Sequence, residues 1–591
     1  MTALLVAATL WLALGTDRWG RSLAVPRADA AYYYAYIPSL LLDGDLDLSN
    51  QYEHTGNWYG FDVSPATERV TNVFGIGPAV FQVPFFVLGH GLARLLGERA
   101  DGFSWPEQAL CSWASVVFTL AAIVLAWRLA RRRIVGGAAA FLGPLAIALG
   151  GPLIYYAVRQ PGYSHPIATF ACALLIERWD ASYTGTVRSL RTWAVLGLAT
   201  GATVLARPQL APWGLVCVAA AIDDVRRRGG ARWAPMLGRW LVAGLIVVAI
   251  VVPQLLVWKV LYGRWVLVPQ GEGFMRWDAP AWSEVLVSAR NGLFPWSPLY
   301  LPAFVGLAIF HKPDLPITAR LGFIAQTVIN GAVWDWWGGG SFGGRRFDSC
   351  YVLFAVGGTA LLARLWTWAA AAWRHATLGA RVRRVVAVVG LVTAGLVTAA
   401  NLQLAGRTSV QSAPRAGGSA PDRVWLRRVG GPHGAAAAAL SSVSLFIPRL
   451  WFAWRHELPF TAYDELVGVH LLGETYPGLN RGEDKKAGKV ALDAVGVEGI
   501  APRPGGGGQL TRGRARILVG LNRRGAVTVR LSWRGSDELA VRWNGEVHRQ
   551  TSASGAGVLE FSTTELRRGI NVLELDATPG TLLGSISLTP D

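Results

Sequence analysis

Residues 110–133 read LCSWASVVFTLAAIVLAWRLARRR. The first eighteen positions, 110–127, carry no charge, and the next six hold Arg128, Arg131, Arg132 and Arg133. An uncharged run of about 18–20 residues matches the hydrocarbon core of a bilayer, and arginines clustered at one end of it stay on the cytoplasmic side. The segment is therefore read as a membrane span whose basic end faces inward.

Composition extends that reading to the whole chain. Of 591 residues, 52% are hydrophobic and 16% charged, with a mean hydropathy of +0.33. Soluble domains carry about 25% charged residues, which argues against a cytosolic enzyme and for a polytopic α-helical membrane protein. Lys and Arg total 56 against 38 Asp and Glu, a net charge of +18. The excess lies in short runs between apolar blocks, as positive-inside topology requires, so no nucleic-acid partner is expected. Cys111, Cys172, Cys217 and Cys350 lie in or beside apolar segments and read as packing residues.

Outward from 110–127, spans are predicted near 135–150, 166–177, 192–206, 209–223, 238–258, 295–310, 320–333, 350–366 and 385–404. These keep Arg178, Arg188 and Arg191 inside, with Arg226, Arg227, Arg228 and Arg232, Lys312 and Arg320, and Arg374, Arg381, Arg383 and Arg384. Residues 1–15 read as a first helix in preference to a signal peptide, because no basic residue precedes the apolar run. The total is about eleven helices with the N-terminus inside. The apolar stretch 74–96, interrupted by Pro78 and Pro84, reads as an interfacial or re-entrant helix pair. The aromatic loops 16–107, 151–165, 259–294 and 334–349 share the outer face with everything after about 405, so the chemistry is expected there.

The division expected is a transmembrane catalytic domain over 1–404, including the outer loop 16–107, a helical connector over 405–480, a linker over 481–510 and a β-domain over 511–591. Within the connector, 434–457 is long enough for a twelfth span. Pro448 and the cluster Arg449, Trp451, Trp454 and Arg455 favour an interfacial helix instead. Six alternating runs over 515–588, separated by turn residues, predict a small β-sandwich or jelly roll.

The chain has no GxxxxGK[ST], HExxH, paired CxxC or G-x-S-x-G, which weighs against an ATPase, a zinc protease or a lipase. Four outer stretches are informative. The first, 26–54, reads PRADAAYYYAYIPSLLLDGDLDLSNQYEH. Asp29 precedes Tyr32, Tyr33, Tyr34 and Tyr36 near the interface, where a partly desolvated carboxylate suits a general base for a hydroxyl; it would equally suit a helix N-cap. Asp43, Asp45 and Asp47 read as a solvated acidic turn. The second, YYAVRQPGYSHP at 155–166, puts Arg159 and His165 where a bundle meets water, although Arg159 alone suits a snorkelling side chain. The third, 253–298, carries Lys259 and ARNGLFPWSP, in which Arg290 opens a proline-broken helix able to present N–H groups to an anion. The fourth, WDWWGGGSFGGRRF at 334–347, is the most specific. Five glycines allow close backbone approach, Arg345 and Arg346 can bond phosphate oxygens, and Trp334, Trp336 and Trp337 can pack on an isoprenoid or a sugar face.

ADAAYYYAYIPSLLLDGDLD, NVFGIGPAVFQVPFF, YYAVRQPGYSHP, LARPQ and DWWGGGSFGGRRF resemble segments of the GT-C superfamily of polytopic glycosyltransferases, which contains protein mannosyltransferases and lipid A aminoarabinose transferases. The resemblance covers about residues 1–460 and points to an uncharacterised bacterial branch. It implies a hexosyl- or pentosyltransferase of the bacterial plasma membrane with an extracytoplasmic C-terminal domain. The donor would be a polyprenyl-phosphate sugar and the acceptor a hydroxyl of a glycan, lipid or protein, with inversion at the anomeric carbon. Asp29 would be the base. Arg345 and Arg346 would hold the donor phosphate, helped by Arg159, His165 and Lys259, while Tyr33, Trp334, Trp336, Trp337 and Arg290 would contact substrate or lipid. The sequence departs from the family in following Asp29 with Ala30 where many relatives carry an acidic pair, and in having GIGPAVFQVP in place of an HPPL-type motif. No cofactor is required on this reading, and a divalent metal is left open. The competing reading is a transporter or flippase of lipid-linked glycans, which would form two related halves; no matching broken-helix pair is seen. In the β-domain, a structural spacer competes with carbohydrate binding through Trp533 and Trp543.

Overall fold

The computed structural model describes residues 2–16, 20–134, 137–183, 186–227, 234–277, 280–309, 314–339, 342–374, 378–408, 424–457, 460, 463–464, 489–490, 497–502, 508–521, 526–564 and 569–590. Its helices are α1 (Thr2–Leu14), α2 (Asp29–Pro38), α3 (Ser49–Thr55), α4 (Gly77–Leu95), α5 (Trp105–Arg133), α6 (Ala138–Leu149), α7 (Leu153–Val158), α8 (Ser164–Ala181) and α9 (Leu190–Ala206). They continue as α10 (Leu215–Arg227), α11 (Ala234–Tyr262), α12 (Glu284–Val287), α13 (Leu293–Trp296), α14 (Tyr300–Ile309), α15 (Asp314–Ala332), α16 (Tyr351–Arg374), α17 (Leu378–Arg407) and α18 (Gly431–His456).

Among the described residues five helical stretches are long and apolar enough to cross a membrane: Trp105–Arg133, Met236–Tyr262, Arg345–Ala370, Leu378–Arg407 and Gly431–Arg455. Other expected spans coincide with shorter helices such as α6 and α9. At 1.5 Å per residue, twelve residues rise only about 18 Å against a core of about 30 Å, so the count of eleven is not recovered from helix length. The stretch expected as an interfacial helix pair is instead one continuous helix, α4, which carries Pro84 inside it. It packs along α5, where Gly89 meets the backbone of Pro106 and Glu107, and His90 Nδ1 sits 2.7 Å from Glu107 Oε1. Glu107 also closes a capping box with Ser104, fixing the start of α5.

The basic runs meet carboxylates at one end of the bundle. Arg132 Nη1 bonds Glu177 Oε1 at 2.7 Å and its Nε reaches Asp180 at 3.1 Å, joining the ends of α5 and α8. Arg188 Nη1 bonds Asp224 at 2.7 Å and Asp223 at 2.8 Å, joining the start of α9 to the end of α10. Asp224 is fully buried and also accepts the Trp193 indole at 3.0 Å. Such pairs hold helix ends together, although much of their Coulomb energy offsets desolvation.

Helix α18 is long enough to cross a membrane and packs along its length on other parts of the chain. His433 Nε2 lies 2.6 Å from Gln403 Oε1, near the end of α17. Toward its other end Leu445 and Phe452 join Ala289, Tyr463 and Leu518 in one apolar cluster. Val443, Phe446, Ile447, Leu450, Trp451 and Trp454 form an exposed apolar stripe along it.

Among the described residues eleven strands follow, more than the six expected: β1 (Lys489–Val490), β2 (Val497–Glu498), β3 (Ile500–Pro502), β4 (Gly508–Leu510), β5 (Arg514–Leu521), β6 (Val527–Arg534), β7 (Glu538–Trp543), β8 (Glu546–Thr551), β9 (Ala556–Thr563), β10 (Gly569–Asp576) and β11 (Leu582–Pro590). One antiparallel sheet runs β3-β4-β11-β6-β9, with β1 also on β11, and the other runs β2-β5-β10-β7-β8. Four short strands lie in the expected linker 481–510, because backbone pairing to β5 and β11 orders a composition that reads as loose on its own. Residues 481–488 of that linker and 409–423 and 465–480 of the expected connector lie outside the described residues. Trp533 and Trp543 are 3% and 0% exposed in the core between the sheets, so neither ring is presented for the carbohydrate binding weighed against a spacer. Gly557 leaves the space that the Trp533 ring fills.

Candidate active site

Asp29 is the first residue of α2, after Ala28 with φ 50° and ψ −129°, a backbone conformation that costs a non-glycine residue about 1–3 kcal/mol. The N-cap position falls on Ala28 and no side chain caps the helix. The Asp29 carboxylate is engaged elsewhere: Tyr59 donates its phenol to Oδ1 at 2.7 Å, and Arg345 Nη1 lies 3.2 Å from Oδ2. Tyr59 is itself placed by Tyr32, whose ring stacks on it at 5.1 Å and whose hydroxyl accepts the Tyr59 N–H at 2.8 Å. Burial, and then the charge of Asp29, push the Tyr59 phenol well above its ordinary value, so it stays a donor.

The opposite side comes from the glycine-rich stretch. Gly338 and Gly339 have φ of 77° and 65° and both line the cavity, a left-handed path that favours glycine. The turn carries the chain from Asp335 to Arg345 and Arg346. Arg346 is fixed twice by Asp335, through Oδ1 at 2.5 Å and the backbone carbonyl at 2.8 Å, while Asn330 Nδ2 holds the Arg346 carbonyl at 3.2 Å. Arg345 also lies 6.0 Å over the Tyr163 ring.

A third arginine, Arg207, enters from the end of α9, where Pro208 stops the helix. Its Nη1 lies 3.2 Å from His165 Nδ1. A ring nitrogen facing a guanidinium N–H accepts, so His165 serves Arg207 as a neutral acceptor. The ring also bonds the backbone of Arg345, and Asp348 Oδ2 sits 3.4 Å from the same Nδ1. His165 thereby ties α8, Arg207 and the Arg345 turn together. Asp348, 1% exposed with neither carboxylate oxygen hydrogen-bonded, lies behind this ring outside the cavity lining.

These groups share a cavity of about 790 Å³. Asp29, Asp335, Arg207, Arg345, Arg346 and His165 gather on its polar part, and Phe74, Trp258, Leu267, Val268, Phe274 and Ile329 are among its apolar lining. The 267–277 part of the wall is pinned by backbone bonds, from Arg276 N to Ala332 O at 2.5 Å and from Trp334 N to Phe274 O at 2.9 Å. The cavity lies at the far ends of the helices that the arginine clusters tie: α8 carries His165 in its first turn and ends beside Glu177 and Asp180, while α9 starts just after Arg188 and ends just before Arg207. Seventeen or eighteen residues rise about 25 Å.

No protein-family model and no curated protein matches the chain. Solved structures similar to it include ArnT from Cupriavidus metallidurans in the apo state, 14% identical over 76% of this chain and 78% of that one, with a TM-score of 0.39. The archaeal oligosaccharyltransferase AglB from Archaeoglobus fulgidus, in complex with an inhibitory peptide and a dolichol-phosphate, is 14% identical over 75% and 59% of the two chains, with a TM-score of 0.40. The arabinosyltransferase EmbB from Mycobacterium smegmatis is 12% identical over 100% and 64%, with a TM-score of 0.34. What the cavity can hold is decided by its own residues.

Of the residues singled out in the sequence, Asp29, Tyr33, His165, Arg345 and Arg346 line this cavity. Tyr33 is buried and donates to Ser164 Oγ at 3.1 Å. The other residues sit elsewhere. Arg159 is bonded to the carbonyls of Thr408 and Thr16, both at 3.3 Å. Lys259 caps its own helix through Gly263 O at 3.0 Å. Trp336 and Trp337 are buried in protein contacts, and Trp337 takes the Arg290 guanidinium over its face at 4.5 Å. Trp334 is 39% exposed, outside the lining. The aromatic surface expected of these tryptophans falls instead to Trp258, Trp277 and Phe274. Arg207, Tyr59 and Asp335 were missed as site residues. An ionisable residue ending an apolar helix, as in LARPQ, is the signal that would have found Arg207. Tyr59 and Asp335 carry no comparable mark.

Proposed function

We propose that the chain is a membrane glycosyltransferase that moves a sugar from a polyprenyl-phosphate donor to an acceptor hydroxyl. One observation carries the reading: a carboxylate from the first outer segment and arginines from two later segments meet in one cavity with an apolar lining. The lining suits an isoprenoid chain and the arginines suit its phosphate. The reaction needs both ends of that polar cluster. Asp29 takes the proton of the acceptor hydroxyl as its oxygen attacks the anomeric carbon from the side opposite the phosphate, which inverts that centre. Charge developing on the departing phosphate oxygen meets Arg207 and Arg346, held before the reaction by His165 and Asp335.

The acceptor is a hydroxyl of a glycan, lipid or protein, and the sugar a hexose or pentose. The position of the cavity at the helix ends opposite the arginine clusters supports, by positive-inside orientation, an extracytoplasmic site in a bacterial plasma membrane. The cluster of Leu518, Ala289 and Phe452 supports the same side for the β-sandwich. Helix α18 then lies along the interface, with its Trp451 and Trp454 stripe toward lipid.

The test is turnover by the full chain in proteoliposomes, using a polyprenyl-phosphoryl sugar labelled in the sugar. Transfer to a supplied acceptor with release of polyprenyl phosphate is expected. Movement of intact donor between leaflets without transfer would replace the enzyme with a flippase.

A further inference from the structure

The charges around the cavity are unequally held. Three arginines and two aspartates line it, and each aspartate takes one arginine: Asp335 takes Arg346, and Asp29 takes Arg345. Arg207 is left facing the neutral His165. The two ion pairs differ in kind. Arg346 is gripped through both terminal nitrogens, to a carboxylate and a carbonyl of the same residue. The Arg345 guanidinium meets Asp29 through Nη1 alone, at 3.2 Å. A guanidinium has five N–H donors, so Arg345 has donors to spare and the weaker tether.

We propose that Asp29 and Arg345 form a switch that couples proton removal to leaving-group stabilisation. The inference rests on the transferase reading. The donor phosphate is a diester with one negative charge, which Arg207 can meet alone. When the acceptor oxygen bonds to the anomeric carbon, the carbon–oxygen bond to phosphate breaks, and its electron pair stays on the phosphate, which becomes a dianion. The acceptor proton passes to Asp29, whose carboxylate becomes neutral. One negative charge leaves Asp29 as one appears on the phosphate, so the total is unchanged. Arg345 loses its reason to stay at Asp29 at the moment a second phosphate charge needs a partner, and it turns from one to the other. Before that moment the ion pair keeps Arg345 from over-stabilising the ground state, as catalysis by differential binding requires.

The switch makes a prediction about binding that needs no turnover. Asp29→Asn copies the neutral, proton-bearing state of the switch and releases Arg345. The full chain in nanodiscs is titrated with farnesyl phosphate at pH 8, where the monoester is a dianion, and with its methyl diester, a monoanion. Asp29→Asn is expected to raise the preference for monoester over diester about tenfold or more, as one charge-assisted hydrogen bond would. The gain should vanish in Asp29→Asn/Arg345→Gln. Arg345→Gln alone, with Asp29 intact, should stay at or below the wild-type preference. Loss of packing would weaken both ligands alike and leave the ratio unmoved. A flat ratio in Asp29→Asn, or a gain that survives removal of Arg345, overturns the switch. If the ratio shifts as expected while the wild type transfers no sugar, the transferase reading fails and the coupling of the pair stands.

Discussion

Arg207→Gln separates the two ways of reading the arginines. Among the described cavity-lining arginines, Arg207 is the one bonded to a neutral side chain, so an incoming phosphate meets it without first breaking an ion pair. A hydrogen bond to a charged group is worth about 1.5–3 kcal/mol, which converts to roughly a 10- to 150-fold change in Kd. The substitution removes the guanidinium and leaves Asp335–Arg346 and Asp29–Arg345 in place. Binding of a short-chain polyprenyl phosphodiester to the full chain in nanodiscs, followed through Trp258 and its neighbours by fluorescence, should weaken by that factor while thermal unfolding moves little. A loss below threefold, with Arg346→Gln abolishing binding, would show that the phosphate sits on the paired arginines and would refute the charge reasoning.

Other consequences follow from the same contacts. Tyr59→Phe removes the donor to Asp29 Oδ1 and should lower kcat about fivefold with little change in acceptor KM; steady-state kinetics decide, and a rise in kcat would show that the phenol blocks the base. Asp224→Ala breaks a buried pair with Arg188 and the bond to Trp193, and should cost about 3–5 kcal/mol in chemical unfolding of the full chain while donor affinity stays unchanged. Ala28→Gly relieves the positive φ ahead of Asp29 and should be neutral or stabilise by up to about 1 kcal/mol; a loss above 1 kcal/mol in the same unfolding assay would count against the strain.

The bundle was legible where charge and hydropathy are periodic along the chain. The run at 110–127 with its arginines became α5, and the predicted spans at 192–206, 238–258 and 385–404 fall on α9, α11 and α17. Helix α4 was misread as a pair because proline is a strong local breaker, whereas packing of Gly89 on α5 keeps the chain helical beyond Pro84. The sandwich strands at 489–510 escaped notice because their order comes from pairing with β5 and β11, which lie further along the chain, and not from any local pattern of their own. At the site, Asp29, Arg345 and Arg346 stood out because charges beside aromatic or glycine-rich membrane-edge sequence are rare. That Asp29 would reach Arg345, 316 positions away, is a property of the packed bundle. The tryptophans of WDWWGGG misled for the opposite reason: a large apolar ring at an interface serves as well in the core as in a cavity, and only packing chooses.

The central claim is that Asp29 accepts the acceptor proton in a cavity that holds the donor phosphate on arginines. Single-turnover transfer by Asp29→Asn, with donor affinity measured on the same preparation, tests it most directly. Loss of about 10²–10⁴ in the chemical step with donor still bound is expected; transfer at the wild-type rate, or loss of donor binding in step with activity, would contradict it.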